Sequence, residues 1–288
     1  MQVLILGCGY TGTAFGRRML DKGAQVFGTC RSEISANALT MQGISPIIFD
    51  AASLPALCEA AQTTDVILAS IPPQDDGDSS YLALKDALEA AKPKWVGYLS
   101  TTGIYGDRQS GWAFEDDMPT PASPEAKRRV LAENQWRSAP IQAHIFRLPG
   151  IYGPGRSALE QVLAGTARRI DRPGQVFSRA HRDDIVQALM ASIDQPNPGR
   201  NYNICDDRPC ASEKVTVEAC RLLNVPPPPL IPFEQADLSE MGRRFYSESK
   251  RVSNARIKAE LGWRPQYPTY VEGLADCLAK RDAHDGPT

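Results

Sequence analysis

Three glycines set directly behind a short apolar run constrain this chain more than any other feature. Val3-Leu4-Ile5-Leu6 reads as a buried strand, Gly7-Cys8-Gly9-Tyr10-Thr11-Gly12 follows without a gap, and a helical pattern runs over 13–22. Strand, glycine turn and helix in that order give a G-x-G-x-x-G spacing its physical meaning. Gly7 permits the tight turn, Gly9 lets the backbone approach a pyrophosphate, and Gly12 lets helix and strand pack closely. The N–H groups at the start of the helix, aided by its dipole, then face the phosphates. Tyr10 and Thr11 sit inside that loop, Tyr10 against the pyrophosphate.

Apolar runs at 2–6, 25–29, 45–49, 65–70, 95–100 and 141–148 alternate with helical patterns at 13–22, 32–42, 54–62, 79–92 and 124–137. Pro93 stops the fourth of these helices. Such alternation predicts an α/β fold, a doubly wound parallel sheet covered on both faces and wound by right-handed crossovers. Beyond residue 150 Pro and Gly become frequent, as in Gly153-Pro154-Gly155 and Pro226 to Pro229. Helices are expected there at 183–193, 212–223, 254–261 and 269–280, with Ser253 capping the third and Gly262 ending it. The expected organisation is a nucleotide-binding domain over 1–150, a small substrate lobe over 151–283 whose segments return to the sheet, and a tail at 284–288.

Composition narrows the partners. A formal net charge of −2 over 288 residues argues against a nucleic-acid binder held by phosphate attraction. Seven scattered cysteines without a C-x-x-C pair fit a reduced, cytoplasmic protein better than a disulfide framework, and three distant histidines argue against a metal site. A strand beginning at residue 2 leaves no room for a signal peptide, and no apolar run approaches the roughly 18 residues of a membrane span.

The second strand selects between dinucleotides. NAD sites place an acid about 20 residues past the glycines, on the ribose 2′-OH. Here the strand ends Thr29-Cys30-Arg31-Ser32, and Arg31 offers a guanidinium suited to a 2′-phosphate. NADP is therefore preferred over NAD, with Ser32 beside Arg31. Asp50 is a candidate for the adenine amino group. Ala69 and Ser70, ending the fourth strand, are candidates for contact with the adenosine ribose and pyrophosphate.

Later segments resemble one family. Ser100-Thr101-Thr102-Gly103-Ile104-Tyr105-Gly106, Phe146-Arg147-Leu148-Pro149-Gly150-Ile151-Tyr152-Gly153-Pro154-Gly155, His181-Arg182-Asp183-Asp184-Ile185, Tyr202-Asn203-Ile204 and Ala259-Glu260-Leu261-Gly262-Trp263-Arg264-Pro265 occur in the order seen in extended short-chain dehydrogenases/reductases, the NAD-dependent epimerase/dehydratase family. The resemblance implies a Rossmann domain with a C-terminal substrate lobe. It also implies hydride transfer at a carbonyl or alcohol, often of a sugar-nucleotide, and a homodimer formed through two helices, here 79–92 and 124–137. Arg156, Arg168, Arg169 and Arg172 are available to an anionic substrate.

One departure matters. The family's acid/base is the phenol of a Tyr-x-x-x-Lys motif, yet no tyrosine lies between Tyr105 and Tyr152. Anchoring on Lys127 puts Ser123 in the Tyr position. Anchoring on Ala132-Glu133 puts Glu125 there and Arg129 in the Lys position, and the spacing from Thr101 favours this second register. The chain thus resembles an atypical subgroup lacking the standard pair. Thr101 matches the hydroxyl that hydrogen-bonds substrate oxygen, Glu125 is the candidate at the Tyr position, and Arg129 is a candidate for ribose or phosphate. Tyr105, Tyr152 and His181 fall in segments where packing is the expected role. The expected function is an NAD(P)-dependent oxidoreductase of the epimerase/dehydratase type with a nonstandard site. The alternative is an inactive NADP-binding redox sensor.

Overall fold

A computed structural model describes residues 1–139, 141 and 143–285. Seven strands, β1 to β7 in chain order, form the main sheet: Gln2–Leu6, Gln25–Cys30, Ser45–Ile48, Val66–Ala69, Trp95–Thr101, His144–Leu148 and Asn201–Asn203. They lie in the order β3-β2-β1-β4-β5-β6-β7. The pairs β1–β2, β2–β3, β1–β4 and β4–β5 run parallel, with Val3 opposite both Val26 and Val66. The expected doubly wound sheet is present, and its strand order reverses between β1 and β4. Ligands of such sheets bind at that reversal, outside the carboxyl ends of the strands.

Strand alternation explains the two covered faces. Leu4 and Leu6 of β1 share a buried cluster with Ile67, Val96, Tyr98 and Ile145 from the neighbouring strands. It is closed by Leu57 and Ala61 of α3 (Leu54–Gln62), Leu84 and Leu88 of α4 (Ser79–Ala91), and Ala132 and Trp136 of α5 (Pro124–Ser138). Burying each large side chain contributes about 1.5–3 kcal/mol. Ile5 points the other way, toward Gly12 and Gly16 of α1 (Tyr10–Asp21). Trp95 of β5 joins this second face, stacking on Phe15 at 6.5 Å and donating from Nε1 to Ser192 Oγ in helix Arg182–Asp194.

Helix α1 begins at Tyr10, three residues before the expected start at 13. Gly12, disfavoured in a helix by about 1 kcal/mol against alanine, lies inside it because only a residue without a Cβ fits so close to β1. Helix α4 ends at Lys92, whose left-handed φ of 48° precedes Pro93. The strand expected over 141–148 is seen from His144, and residue 142 lies outside the described residues.

The chain divides into two compact units. The first is 1–104, 121–147 and 185–202, and the second 105–120, 148–184 and 203–288. The second unit is built on two-stranded parallel pairs: Gly150–Tyr152 with Arg179–His181, Arg169–Asp171 with Leu230–Pro232, and Trp112–Ala113 with Arg251–Val252. Helix Ala255–Leu261 ends at Gly262 with φ +62°, as expected, but its N-cap is Asn254 rather than Ser253. The Ser253 hydroxyl accepts from Ala255 N–H, two residues on, at 3.3 Å. Residues 284 and 285 of the expected tail belong to the last helix, Tyr270–Asp285, and 286–288 lie outside the described residues. No described helix is long and apolar enough to cross a membrane.

Two buried carboxyls brace the second unit. Asp184 accepts from Gln266 N–H at 2.6 Å and Tyr267 N–H at 3.3 Å. Asp206 accepts from Arg208 N–H at 3.3 Å, while its Oδ2 is buried without a hydrogen-bond partner. Burial pushes both up to about 7, against the pull of those bonds. Between about pH 4 and 7 each of these two carboxyls therefore holds a proton in the folded chain that it has lost in the unfolded one, so its own contribution to stability falls as pH rises, by up to about 1.4 kcal/mol per unit, while the buried His181, held down at about 4, contributes with the opposite sign. Thermal melts of the native chain and of Asp206→Asn across this window isolate the carboxyl: the stability of the native chain relative to the variant should fall as pH rises. An unchanged slope in the variant would contradict the assignment.

Candidate dinucleotide site

The first unit carries the candidate site at the carboxyl ends of β1, β2, β4 and β5. Gly7 turns the chain out of β1 with φ +86°, a region costly to any residue with a Cβ. A Cβ there would lie 2.9 Å from the backbone nitrogen of Ile71. Both backbone groups of Gly7 are paired by hydroxyls from the flanking strands. Its N–H donates to Thr29 Oγ1 at 2.7 Å, and its carbonyl accepts from Ser70 Oγ at 2.7 Å. Cys8 continues along β2, its N–H donating to the Thr29 carbonyl at 2.8 Å, and burial pushes its thiol up to about 11.

Gly9 is the N-cap of α1, exposed, with nothing within 4 Å of where a Cβ would stand. The cap has no side-chain hydrogen bond and the first turn no acidic residue. A Cβ on Gly12, by contrast, would meet Ile5 at 3.0 Å and the Gly7 carbonyl at 3.1 Å. A helix N-terminus that is open, uncapped and approachable through a residue without a side chain fits a pyrophosphate. The residues present therefore suit a dinucleotide. A nicotinamide group, when bound, supplies or accepts a hydride. Tyr10 and Thr11 form the first turn, Thr11 buried and Tyr10 half-buried.

Arg31 follows β2 and is exposed. Ser32 is the N-cap of α2 (Glu33–Thr40), its Oγ accepting from Ser35 N–H at 3.3 Å. Asp50 is exposed beyond β3, and its Oδ1 accepts from Ser53 N–H at 2.8 Å, a bond that holds its carboxyl below the usual range. Ala69 is buried at the end of β4, and the Ser70 hydroxyl is engaged by Gly7. Ser32, Asp50 and Ser70 thus each carry a local backbone role at the strand ends.

Thr101 ends β5, where its Oγ1 accepts from Gly103 N–H at 3.1 Å. A Cβ on Gly103 would lie 3.4 Å from Thr101 Oγ1 and 3.8 Å from Ala126 Cβ, so the end of β5 meets the first turn of α5. Ser123 caps that helix, accepting from Ala126 N–H at 3.1 Å, and Glu125 is exposed in the first turn. Acids in a first turn also complement the helix dipole. Lys127 is exposed. Arg129 turns inward: its Nη1 donates to the Leu99 carbonyl at 2.8 Å and the Tyr98 hydroxyl at 3.0 Å. His181, in the second unit, is fully buried against Tyr152 and Tyr267, its ring held down at about 4 by burial. Lys280 donates to Asp183 at 2.7 Å and pairs with Asp276 at 3.0 Å, placing an ammonium among the carboxylates beside that ring.

A buried network behind β5 has no counterpart in the sequence reading. Glu133 of α5, 1% exposed, accepts from Ser100 Oγ at 2.6 Å and from Arg147 at 3.1 and 2.9 Å, and pairs with Arg137 at 2.9 Å. Arg137 also donates to Asn201 of β7. One carboxylate therefore ties α5 to β5, β6 and β7. Asp78 does the same for α4, capping Ser80 and Tyr81 and accepting from Trp136 Nε1 at 3.0 Å. Glu133 and Arg147 lie in the motif segments, but their pairing across the fold leaves no local pattern.

The comparisons agree with this geometry. The sequence model of the NAD dependent epimerase/dehydratase family matches residues 3–205. The chain belongs to that family. It is 29% identical over 282 residues to Protein YeeZ of Escherichia coli K12, covering 93% of this chain and 96% of the relative. A functionally unknown conserved protein from Silicibacter pomeroyi shares 42% identity with a TM-score of 0.90, over 97% of this chain and 98% of that one. The dTDP-glucose 4,6-dehydratase DesIV from Streptomyces venezuelae, solved with NAD and TYD bound, shares the fold at a TM-score of 0.78 and 19% identity, over 97% and 96% of the two chains.

Replacing Glu133 with Gln should leave the guanidinium of Arg147, 2% exposed, without its counter-charge. Denaturant unfolding of Glu133→Gln should show a loss of about 3 kcal/mol or more. A loss below about 1 kcal/mol would mean the network is not what holds α5 to the sheet.

Proposed function

We propose that this chain is an NADP-preferring oxidoreductase of the epimerase/dehydratase type, acting by hydride transfer on a carbonyl or hydroxyl substrate with a nonstandard active site. The observation that supports it most is the open, uncapped start of α1 above Gly9, at the reversal of the sheet. Arg31, exposed at the end of β2 where NAD sites carry an acid, supports the preference for a 2′-phosphate. Thr101 is the proposed hydrogen-bond partner of substrate oxygen, and Glu125 occupies the position of the family's phenol. Arg129 stands for the family's lysine. Its Nη1 donates to the Leu99 carbonyl and the Tyr98 hydroxyl, which holds the guanidinium at the end of β5.

An anionic, sugar-nucleotide-like substrate finds support in the second unit. A cavity of about 660 Å³ there is lined by Arg156, Arg168 and Arg179 together with Ser212, Phe245 and Tyr246. Cations beside aromatic and hydroxyl groups suit a phosphorylated or carboxylated ligand. Arg168 also donates to the Asp237 carbonyl and Arg179 to the Phe177 carbonyl at 3.1 Å; Arg169 and Arg172 lie outside the lining, Arg169 donating to the Pro228 carbonyl and Arg172 lying over the Phe233 ring at 4.5 Å. A homodimer through α4 and α5 is consistent with Leu82 and Leu131, each about two-fifths exposed on those helices at 40% and 39%. Seven free thiols suit a reducing, cytoplasmic setting. The absence of a tyrosine between Tyr105 and Tyr152 favours one second reading, an NADP-binding redox sensor without turnover.

Fluorescence titration with NADPH and NADH tests the cofactor assignment. Arg31→Ala should weaken NADPH binding by about tenfold, the scale of one lost charge-assisted contact, and leave NADH binding nearly unchanged. Equal losses for both, or tighter NADH binding by the native chain, would contradict it. Turnover with any of a panel of carbonyl compounds distinguishes the enzyme from the sensor, which requires unequal affinity for the oxidised and reduced forms.

A further inference from the structure

Two peptide units meet at Gly7, and all four of their polar groups bind to just two residues. Ser70 takes one carbonyl from each unit: its N–H donates to the Leu6 carbonyl at 2.8 Å and its Oγ to the Gly7 carbonyl at 2.7 Å. Thr29 takes one N–H from each: its Oγ1 accepts from Gly7 at 2.7 Å and its carbonyl from Cys8 at 2.8 Å. Each residue thus binds the turn once through its backbone and once through its hydroxyl. The backbone bonds would form with any residue at these positions, whereas the hydroxyl bonds depend on Ser and Thr.

The hold reaches the start of α1. The Gly7 carbonyl also accepts from the N–H of Gly9, the helix N-cap, at 2.8 Å, so the Ser70 hydroxyl and the cap share one acceptor. Thr13 N–H then bonds the Gly9 carbonyl at 2.7 Å, one residue into the helical ladder. Thr29 is 1% exposed, so it acts on a ligand only through this turn.

Gly7 needs such a hold because it has no Cβ. A glycine populates several backbone wells, and at φ +86° it occupies one of them. A ligand that binds one conformation loses apparent affinity in proportion to the fraction of chains outside it. We propose that Thr29 and Ser70 are positioning residues for dinucleotide binding, acting through Gly7 to keep the first turn of α1 aimed at the pyrophosphate. The Ser70 hydroxyl, expected from the sequence to meet the ligand, serves the turn instead. The proposal rests on the dinucleotide reading above.

Two measurements on each variant test it: calorimetric titration with NADP⁺, and amide hydrogen exchange of the chain without dinucleotide, followed by NMR. Thr29→Val and Ser70→Ala should each weaken binding by about tenfold, the scale of one lost hydrogen bond. In both, the Gly9 amide should exchange about tenfold faster, while those of Leu4 and Ile67, on the paired central strands, keep their native rates. A purely structural role would leave the affinity of the folded chain unchanged. Thr29→Ser and Ser70→Thr keep the hydroxyls and should keep native affinity and exchange. If Thr29→Val does not fold, the two measurements on Ser70→Ala decide the matter. Native affinity in a folded variant, or weaker binding with Gly9 exchange at its native rate, overturns the proposal and leaves the cofactor reading standing. A native chain that binds no dinucleotide overturns both.

Discussion

Gly7 is held from both sides by hydroxyl groups, and the carboxyl edge of the sheet is organised around that hold. Thr29 from β2 takes its N–H, and Ser70, just past the end of β4, donates to its carbonyl. These strands flank β1 at the point where the sheet reverses. The turn is affordable only without a Cβ, because φ is +86° and the Ile71 backbone stands 2.9 Å from where one would be. Once the chain turns there, Gly12 can lie against Ile5, and α1 starts three residues early with its N–H groups directed past Gly9. The geometry suited to phosphate follows from close packing, with no charged side chain in the loop itself.

Ion pairs and caps behind the edge hold the other components in place. Glu133, bonded to Ser100 and Arg147, fixes α5 against β5 and β6, which sets where the first turn of α5 meets Thr101. Asp78 fixes α4 through Trp136. Such pairs cost desolvation and stabilise weakly in net terms, but breaking one leaves a buried charge. Their effect here is to specify the position of a helix whose outer face is polar. Glu125 and Arg129 both stand on the helix held in this way.

The first unit was legible because its strands are continuous apolar runs and its helices end at recognisable residues. Val3–Leu6 and Val66–Ala69 are buried on both faces, so pattern alone locates them. The start of α1 was misplaced because glycine reads as a break, and only the packing against Ile5 shows why it lies within the helix. The second unit was far less legible. Its strands are two or three residues long, and partners such as Trp112–Ala113 and Arg251–Val252 are far apart in sequence. Site residues divided in the same way. The glycines were readable from spacing, whereas the backbone roles of Ser32, Asp50 and Ser70 and the inward turn of Arg129 depend on neighbours that the sequence does not place.

Calorimetric titration of the chain with NADP⁺ and NAD⁺, beside the Gly7→Ala variant, tests the central claim most directly. The account predicts saturable binding at one site per native chain and at least tenfold weaker binding in a variant that remains folded by circular dichroism, since the added Cβ must displace the turn that aims α1. A native chain that binds neither dinucleotide, or a folded variant that binds as tightly as the native chain, would contradict it.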